Sequence, residues 1–257
     1  MYGDYLRRGT AEFIGAFTLV FIGVGAFLAT GFGTSDVNAI PAVILLLPVA
    51  VATGLALALM ITAFGHVSGG HFNPAVTLGF VVTRRIALPL AGVYWVMQFA
   101  GATCAALLLK WVFPNALVDQ AKLGVPVLNG QLNSGQGLVV EAILTAMLVF
   151  AVFATAVDEG GAFKAVAGFG IGLVITMDIL CGGPLTGAAM NPARAFGPQL
   201  VQNDWQSYSW LYYVGPVLGA VIAALAYELL FIRRPLEPVG PPETGVVEPR
   251  PGDLAAS

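Results

Sequence analysis

Charge is what this chain has least of. Asp, Glu, Lys and Arg together make up 10% of its 257 residues, against about 25% in an ordinary soluble domain. That excludes a soluble globular enzyme, whose surface needs more charge than this. Cysteine is scarce too, and two Cys cannot build a disulfide scaffold. There is no basic surplus. The net charge is −3 and the isoelectric point near 5.3, which leaves no footprint for nucleic acid. Apolar residues fill the space that charge leaves. They amount to 58% of the chain, with a mean hydropathy of +0.85, and so exclude a disordered chain. With 32 Gly besides, the composition is that of a polytopic membrane protein in which backbones approach closely.

A helix needs roughly 20 apolar residues to cross the hydrocarbon core. Six stretches qualify, at about 10–32, 41–64, 87–110, 136–157, 163–182 and 208–232. The first follows Arg7 and Arg8 but is too long for the core of a signal peptide, and it reads as a retained helix. An even number of spans puts both ends on one side. That side collects Arg7, Arg8, Arg84, Arg85, Lys164, Arg233, Arg234 and Arg250, whereas the opposite side has only Lys110 and Lys122, just before and within the loop at 111–135. Both termini are therefore predicted cytoplasmic. The segment from Arg233 holds six of the sixteen Pro and reads as an extended, mobile cytoplasmic tail. Cys104 and Cys181 fall within or at the end of apolar spans and read as small buried side chains.

The two halves of the chain resemble each other. Residues 68–80, SGGHFNPAVTLGF, align with 186–198, TGAAMNPARAFGP, at an offset of 118. The same offset pairs Tyr94 with Tyr212, Gly101 with Gly219 and Gly54 with Gly172, while Glu12 meets Glu141 at an offset of 129. Each unit has three spans, so the second is inserted upside down relative to the first. Equivalent segments of inverted repeats lie symmetrically about the membrane midplane.

Each Asn-Pro-Ala reads as a helix start, with Asn73 or Asn191 as N-cap and Pro74 or Pro192 as first helical residue, followed by Ala75 or Ala193. The helices that follow, 73–82 and 191–201, are too short to cross. They suit half-helices entered through irregular loops, which a membrane tolerates only where they are buried or line a cavity. Two such half-helices meeting at their N-termini put both positive dipole ends at one point. Water or a neutral hydroxyl accepts hydrogen bonds from both Asn amides there, while a cation is repelled and proton hopping is interrupted. The approach loops, Gly69-Gly70-His71-Phe72 and Gly187-Ala188-Ala189-Met190, read as extended backbone aiming carbonyl oxygens into a pore.

The run from Gly65 to Thr77, GHVSGGHFNPAVT, together with Met190-Asn191-Pro192-Ala193-Arg194, resembles the aquaporins (major intrinsic proteins). The resemblance extends over about residues 8–232. It implies an all-α membrane fold of six transmembrane helices and two re-entrant half-helices in two inverted repeats, usually assembled as a homotetramer with one pore per protomer. The organisation is then a cytoplasmic segment 1–9, one channel domain 10–232 and the Pro-rich tail 233–257. Repeat one covers about 10–110 and repeat two about 136–232, joined by an extracellular loop at 111–135.

By the same resemblance Arg194, an expensive buried charge and so functional by default, forms the outer selectivity filter with Thr53, Ile179 and Ala188. Water-specific members usually carry an aromatic residue where Thr53 stands and His where Ile179 stands. Glycerol-conducting members carry Asp directly after the Arg and a basic residue four further on, where this chain has Ala195 and Gln199. They also have Pro-Leu or Pro-Ile near the start of the last helix, where this chain has Tyr212-Tyr213. Ile179 and Ala188 match vacuole-type plant members and some archaeal ones. The resemblance implies a passive channel in the cell (plasma or inner) membrane, with water as main permeant and glycerol, ammonia or hydrogen peroxide admitted by the wider filter.

Glu12 and Glu141 are expected to accept hydrogen bonds from backbone N–H groups of the re-entrant loops. His71 is expected in the cytoplasmic half of the pore and His66 as a structural hydrogen-bonder, neither with metal-ligand partners at suitable spacing. Gly54, Gly172, Gly101 and Gly219 read as tight helix crossings. Cys181 lies ten residues before Asn191, whereas the usual mercurial-sensitive position is Ala188. Asp178, inside the fifth span, pairs at a protomer interface or reaches the outer mouth. No cofactor is implied, and no Ser/His or paired-Asp arrangement for an intramembrane enzyme lies within the spans. The competing readings are a secondary transporter, which shares inverted repeats and broken helices, and a non-conducting structural membrane protein.

Overall fold

A computed structural model describes residues 2–31, 42–160 and 166–232, so Lys164, the tail 233–257 and its three Arg lie outside the described residues. The described chain is helical: α1 Tyr2–Ala29, α2 Ala42–Ser68, α3 Pro74–Val82, α4 Leu88–Val112, α5 Asn115–Gln120, α6 Ser134–Val152, α7 Ala167–Thr186, α8 Pro192–Gln202 and α9 Leu211–Leu230. One 3-10 turn, Lys122–Gly124, follows α5, and a π-helical turn, Phe153–Val157, continues α6. Among the described residues six helices are long and apolar enough to cross a membrane: α1, α2, α4, α6 with its π turn, α7 and α9.

Helix ends differ from the apolar runs because hydropathy marks the hydrocarbon core and not where hydrogen bonding stops. α1 starts at Tyr2, so residues 2–9 belong to the first helix. Asp4 pairs with Arg7 at 3.0 Å and with Arg8 at 3.8 Å, three and four residues on, where a helix brings side chains together. α2 runs on to Ser68 and α7 to Thr186, each delivering its chain directly into a re-entrant loop. α6 begins with a reciprocal cap, Asn133 Oδ1 accepting from the Gln136 N–H and Gln136 Oε1 from the Asn133 N–H.

The packing follows the repeat. α1 lies against α4 and α2, and α6 against α9 and α7, while α2 and α7 cross at the centre and join the halves. Each half-helix packs on both closing helices, α3 against α9 and α4, α8 against α4 and α9. Glycine permits the crossings. A Cβ on Gly54 would fall on the carbonyl oxygen of Gly172, and one on Gly172 would lie 2.7 Å from the Ala58 Cβ. A Cβ on Gly219 would sit 2.9 Å from the Ala142 carbonyl carbon of α6, and one on Gly101 3.1 Å from the Phe17 nitrogen of α1. Backbone cannot move aside as a side-chain tip can.

Cys104 and Cys181 are exposed and not buried. An apolar span has a lipid side as well as a core side, and composition alone does not say which side a small residue occupies.

Gly54→Val is expected to destabilise the protein by about 1–3 kcal/mol through overpacking against backbone. Gly92→Ala, at a position with open space beside it, is expected to be neutral. Thermal unfolding of both variants in detergent checks the difference.

Candidate functional site

The two approach loops repeat one backbone pattern. Gly69, Gly70 and Phe72 have φ of 97°, 68° and 49°, and their equivalents Gly187, Ala188 and Met190 have 80°, 44° and 50°. The loops are therefore not extended. An extended strand sends successive residues to opposite sides. Left-handed residues break that alternation, and the Phe72 and Met190 carbonyls turn toward the Asn of the opposite repeat. Non-glycine residues held there cost of order 1–3 kcal/mol each, and they persist only where the surroundings over-determine them.

Two buried carboxylates do so. Glu12 on α1 accepts from the His71 N–H at 3.0 Å, the Phe72 N–H at 2.6 Å, Ser68 Oγ at 2.6 Å and Gln98 Nε2 at 2.8 Å. Glu141 on α6 accepts from the Ala189 N–H at 3.0 Å, the Met190 N–H at 2.7 Å and Thr186 Oγ1 at 2.6 Å. Ser68 and Thr186, equivalent in the repeat, also take the Gly70 and Ala188 N–H groups. A carboxylate has no proton to donate, so it satisfies several converging N–H groups where an amide could not.

Asn73 and Asn191 cap α3 and α8. Asn73 Oδ1 accepts from the Ala75 N–H at 2.9 Å, and Asn191 Oδ1 from the Ala193 N–H at 3.0 Å and the Arg194 N–H at 3.3 Å. Their amide nitrogens cross between the repeats. Asn73 Nδ2 donates to the Met190 carbonyl at 2.8 Å, and Asn191 Nδ2 to the Phe72 carbonyl at 2.9 Å. One proton of each NH2 is thus committed to the opposite loop, leaving one on each for the cavity. Pro74 and Pro192 stand at the first helical positions, where no N–H is missed.

These residues border one cavity of about 610 Å³. Its walls include Thr53, Ile179, Ala188 and Arg194, then Asn73 and Asn191, then Gly70, His71 and Ile61 beyond the tripeptides. Gly187, Ala189, Met190 and Phe72 also line it, whereas Gly69, Pro74, Ala75, Pro192 and Ala193 sit behind the wall. Thr53 gives its hydroxyl proton to the Val49 carbonyl at 2.7 Å, so it faces the cavity as an acceptor. Arg194 Nη1 donates to the Gly124 carbonyl at 2.9 Å. His71 is buried, its Nδ1 3.1 Å from Thr77 Oγ1 and its ring against Phe80 and Tyr94.

Some sequence expectations are corrected. His66 is exposed near the end of α2, because the helix runs to Ser68 and turns it outward. Asp178 is buried at 1% exposure and absent from the cavity wall, and its Oδ2 meets no hydrogen-bond partner among the described residues. Gln98 and the Ser68/Thr186 pair were not anticipated as supports. A polar residue in the middle of an apolar span, and two hydroxyls aligned at the repeat offset, were the signals. The Gly124 carbonyl had none, since it depends on how a loop lies over α8.

The family model of the major intrinsic proteins matches residues 3–227. The chain belongs to the major intrinsic protein family. Among similar members, Aquaporin TIP4-4 of Zea mays is 44% identical over 235 residues, covering 88% of this chain and 87% of that protein. Probable aquaporin TIP3-2 of Arabidopsis thaliana is 42% identical over 241 residues (91% and 87%), and Aquaporin-4 of Mus musculus 38% over 227 (88% and 68%). A solved structure, the aquaglyceroporin from Plasmodium falciparum, superposes with a TM-score of 0.72 at 24% identity, covering 88% of this chain and 96% of that one, a likeness of fold. This major intrinsic protein thus has the aquaporin fold, and its cavity lies where the two half-helices meet.

Glu141→Gln puts an N–H where two loop N–H groups converge. It is expected to lower stability by about 1–3 kcal/mol for each donor left unpaired and to cut osmotic water flux, read by thermal unfolding and stopped-flow light scattering. Cys181 is exposed and outside the cavity wall. Labelling it with a mercurial is expected to leave water flux intact, and strong block abolished by Cys181→Ser would place the thiol against the pore.

Proposed function

We propose that this major intrinsic protein is a passive transmembrane pore for water that also admits small neutral solutes such as glycerol, ammonia and hydrogen peroxide, and excludes protons and ions. The observation that carries the reading is the pair of Asn-capped half-helices crossing hydrogen bonds inside one cavity. Two positive dipole ends and two remaining amide protons converge on the same stretch. A permeant there must accept hydrogen bonds and carry no positive charge. A water molecule that accepts from both amides points its own protons away from the centre, so no donor chain runs through it. Beyond that point the wall is mainly apolar, which lets water leave as easily as it enters.

The filter reading rests on Thr53, Ile179, Ala188 and Arg194. Arg194 supplies donors and a fixed positive charge, Thr53 an acceptor, and Ile179 and Ala188 a small apolar side. Without an aromatic ring and an imidazole at the first two positions, the constriction admits solutes larger than water. Residues 10–232 act as one channel unit, with both termini cytoplasmic in the cell membrane and four copies assembled around separate pores. The sorting of Lys and Arg supports that orientation.

Proteoliposomes holding the full chain are expected to shrink rapidly under an osmotic gradient, with low activation energy and no second solute. Thr53→Phe combined with Ile179→His is expected to lower glycerol uptake far more than water flux. Glycerol uptake unchanged by this narrowing would sink the filter assignment.

A further inference from the structure

Residues 121–126 form a short strap beside the outer end of the cavity, and Lys122, Gly124, Val125 and Pro126 line it. Three consecutive strap residues, Lys122, Leu123 and Gly124, have φ of 49°, 50° and 66°. Glycine adopts such angles freely, but Lys and Leu do so under strain and revert unless their surroundings hold them. The strained turn presents the Gly124 carbonyl to Arg194 Nη1 at 2.9 Å.

Two contacts hold the strap. The Leu123 side chain is fully buried in a cluster with Val20, Val24 and Leu109. Lys122 Nζ lies 3.2 Å from Asp204 Oδ2. Asp204 is fixed in its turn, just past the end of α8 and the left-handed Asn203. Its N–H donates to the Gln199 carbonyl at 3.1 Å, and its Oδ1 accepts from Gln206 Nε2. α8 therefore grips the strap twice, through Arg194 in its first turn and through Asp204 beyond its last.

We infer that the Lys122–Asp204 ion pair is a latch that positions the filter arginine and so sets how strictly the outer constriction excludes solutes larger than water. The inference rests on the filter reading above. Asp204 lies outside the cavity wall and acts through the strap, while Lys122 both lines the cavity and holds the strap. With the pair broken, Lys122 and Leu123 relax toward ordinary angles and the Gly124 carbonyl withdraws. Arg194 then loses a fixed partner, and its guanidinium no longer stays against one wall. The Lys122 side chain is 52% exposed and that of Asp204 15%, so the pair contributes little to folding. It biases a strained turn that Leu123 keeps docked in either state.

The test uses the full chain in proteoliposomes, with glycerol uptake and osmotic water permeability measured on the same preparations. Asp204→Asn, outside the cavity wall, is expected to raise the glycerol-to-water permeability ratio about two- to fivefold, the range a partly exposed ion pair supports, with water flux little changed. Lys122→Gln is expected to raise the ratio in the same direction. The reversed pair, Lys122→Asp with Asp204→Lys, is expected to restore the wild-type ratio. No rise in either single variant, a rise the reversed pair does not restore, or a lowered melting temperature with an unchanged ratio overturns the latch. Thr53→Phe with Ile179→His separates the two claims. If that narrowing fails to lower glycerol uptake, the filter reading fails and the latch with it. If narrowing works and the latch variants change nothing, the latch alone is wrong.

Discussion

A membrane offers no water to a bare backbone N–H, and that constraint organises this molecule. Two loops without helical hydrogen bonds descend into the bundle, and each would be untenable without an acceptor waiting for it. Glu12 and Glu141 are those acceptors, each with two oxygens taking backbone N–H groups and hydroxyls from one loop. A buried carboxylate is costly alone, and so is a strained loop of unpaired donors. Together each removes the other's cost. Everything at the pore centre hangs from this pairing: the left-handed Phe72 and Met190, the carbonyls that receive the Asn amides, and the direction in which α3 and α8 start.

The inverted repeat gives the constraint a two-fold form without making the halves identical. In repeat one, Gln98 adds a fourth donor to Glu12 and also donates to Thr77 Oγ1. At the equivalent place in repeat two the chain has Pro216, and Glu141 has one fewer donor. Arg194 occupies α8 alone and takes its partner from a loop outside the repeat. The symmetric Asn pair faces the cavity from both repeats, and Arg194 adds a charge there from one repeat only. The small residues at the α2–α7, α1–α4 and α6–α9 crossings bring the helices close enough for the carboxylates to reach the loops at all.

Much of this was legible beforehand. Six spans, two half-helices, the Asn caps and the Glu supports follow from hydropathy, from the Asn-Pro-Ala pattern and from two alignment offsets. The misreadings share a cause. Cys104 and Cys181 face outward, and the side of a helix cannot be read where nearly every residue is apolar and no amphipathic stripe marks the core. The loops were expected extended because small residues permit that, but what selects the backbone is the acceptor it meets.

The sequence by itself determined the spans, their inversion and the identity of the capping and charged residues. These are matters of local hydropathy, local capping chemistry and self-similarity, each visible within a short window or one offset. Only the tertiary structure decided which amide proton crosses to which loop and that Arg194 leans on the carbonyl of Gly124. Those pairings join atoms far apart in the chain, between 70 and 119 residues for Arg194 and the two Asn amides. No rule of spacing fixes a contact of that kind until the helices between have packed.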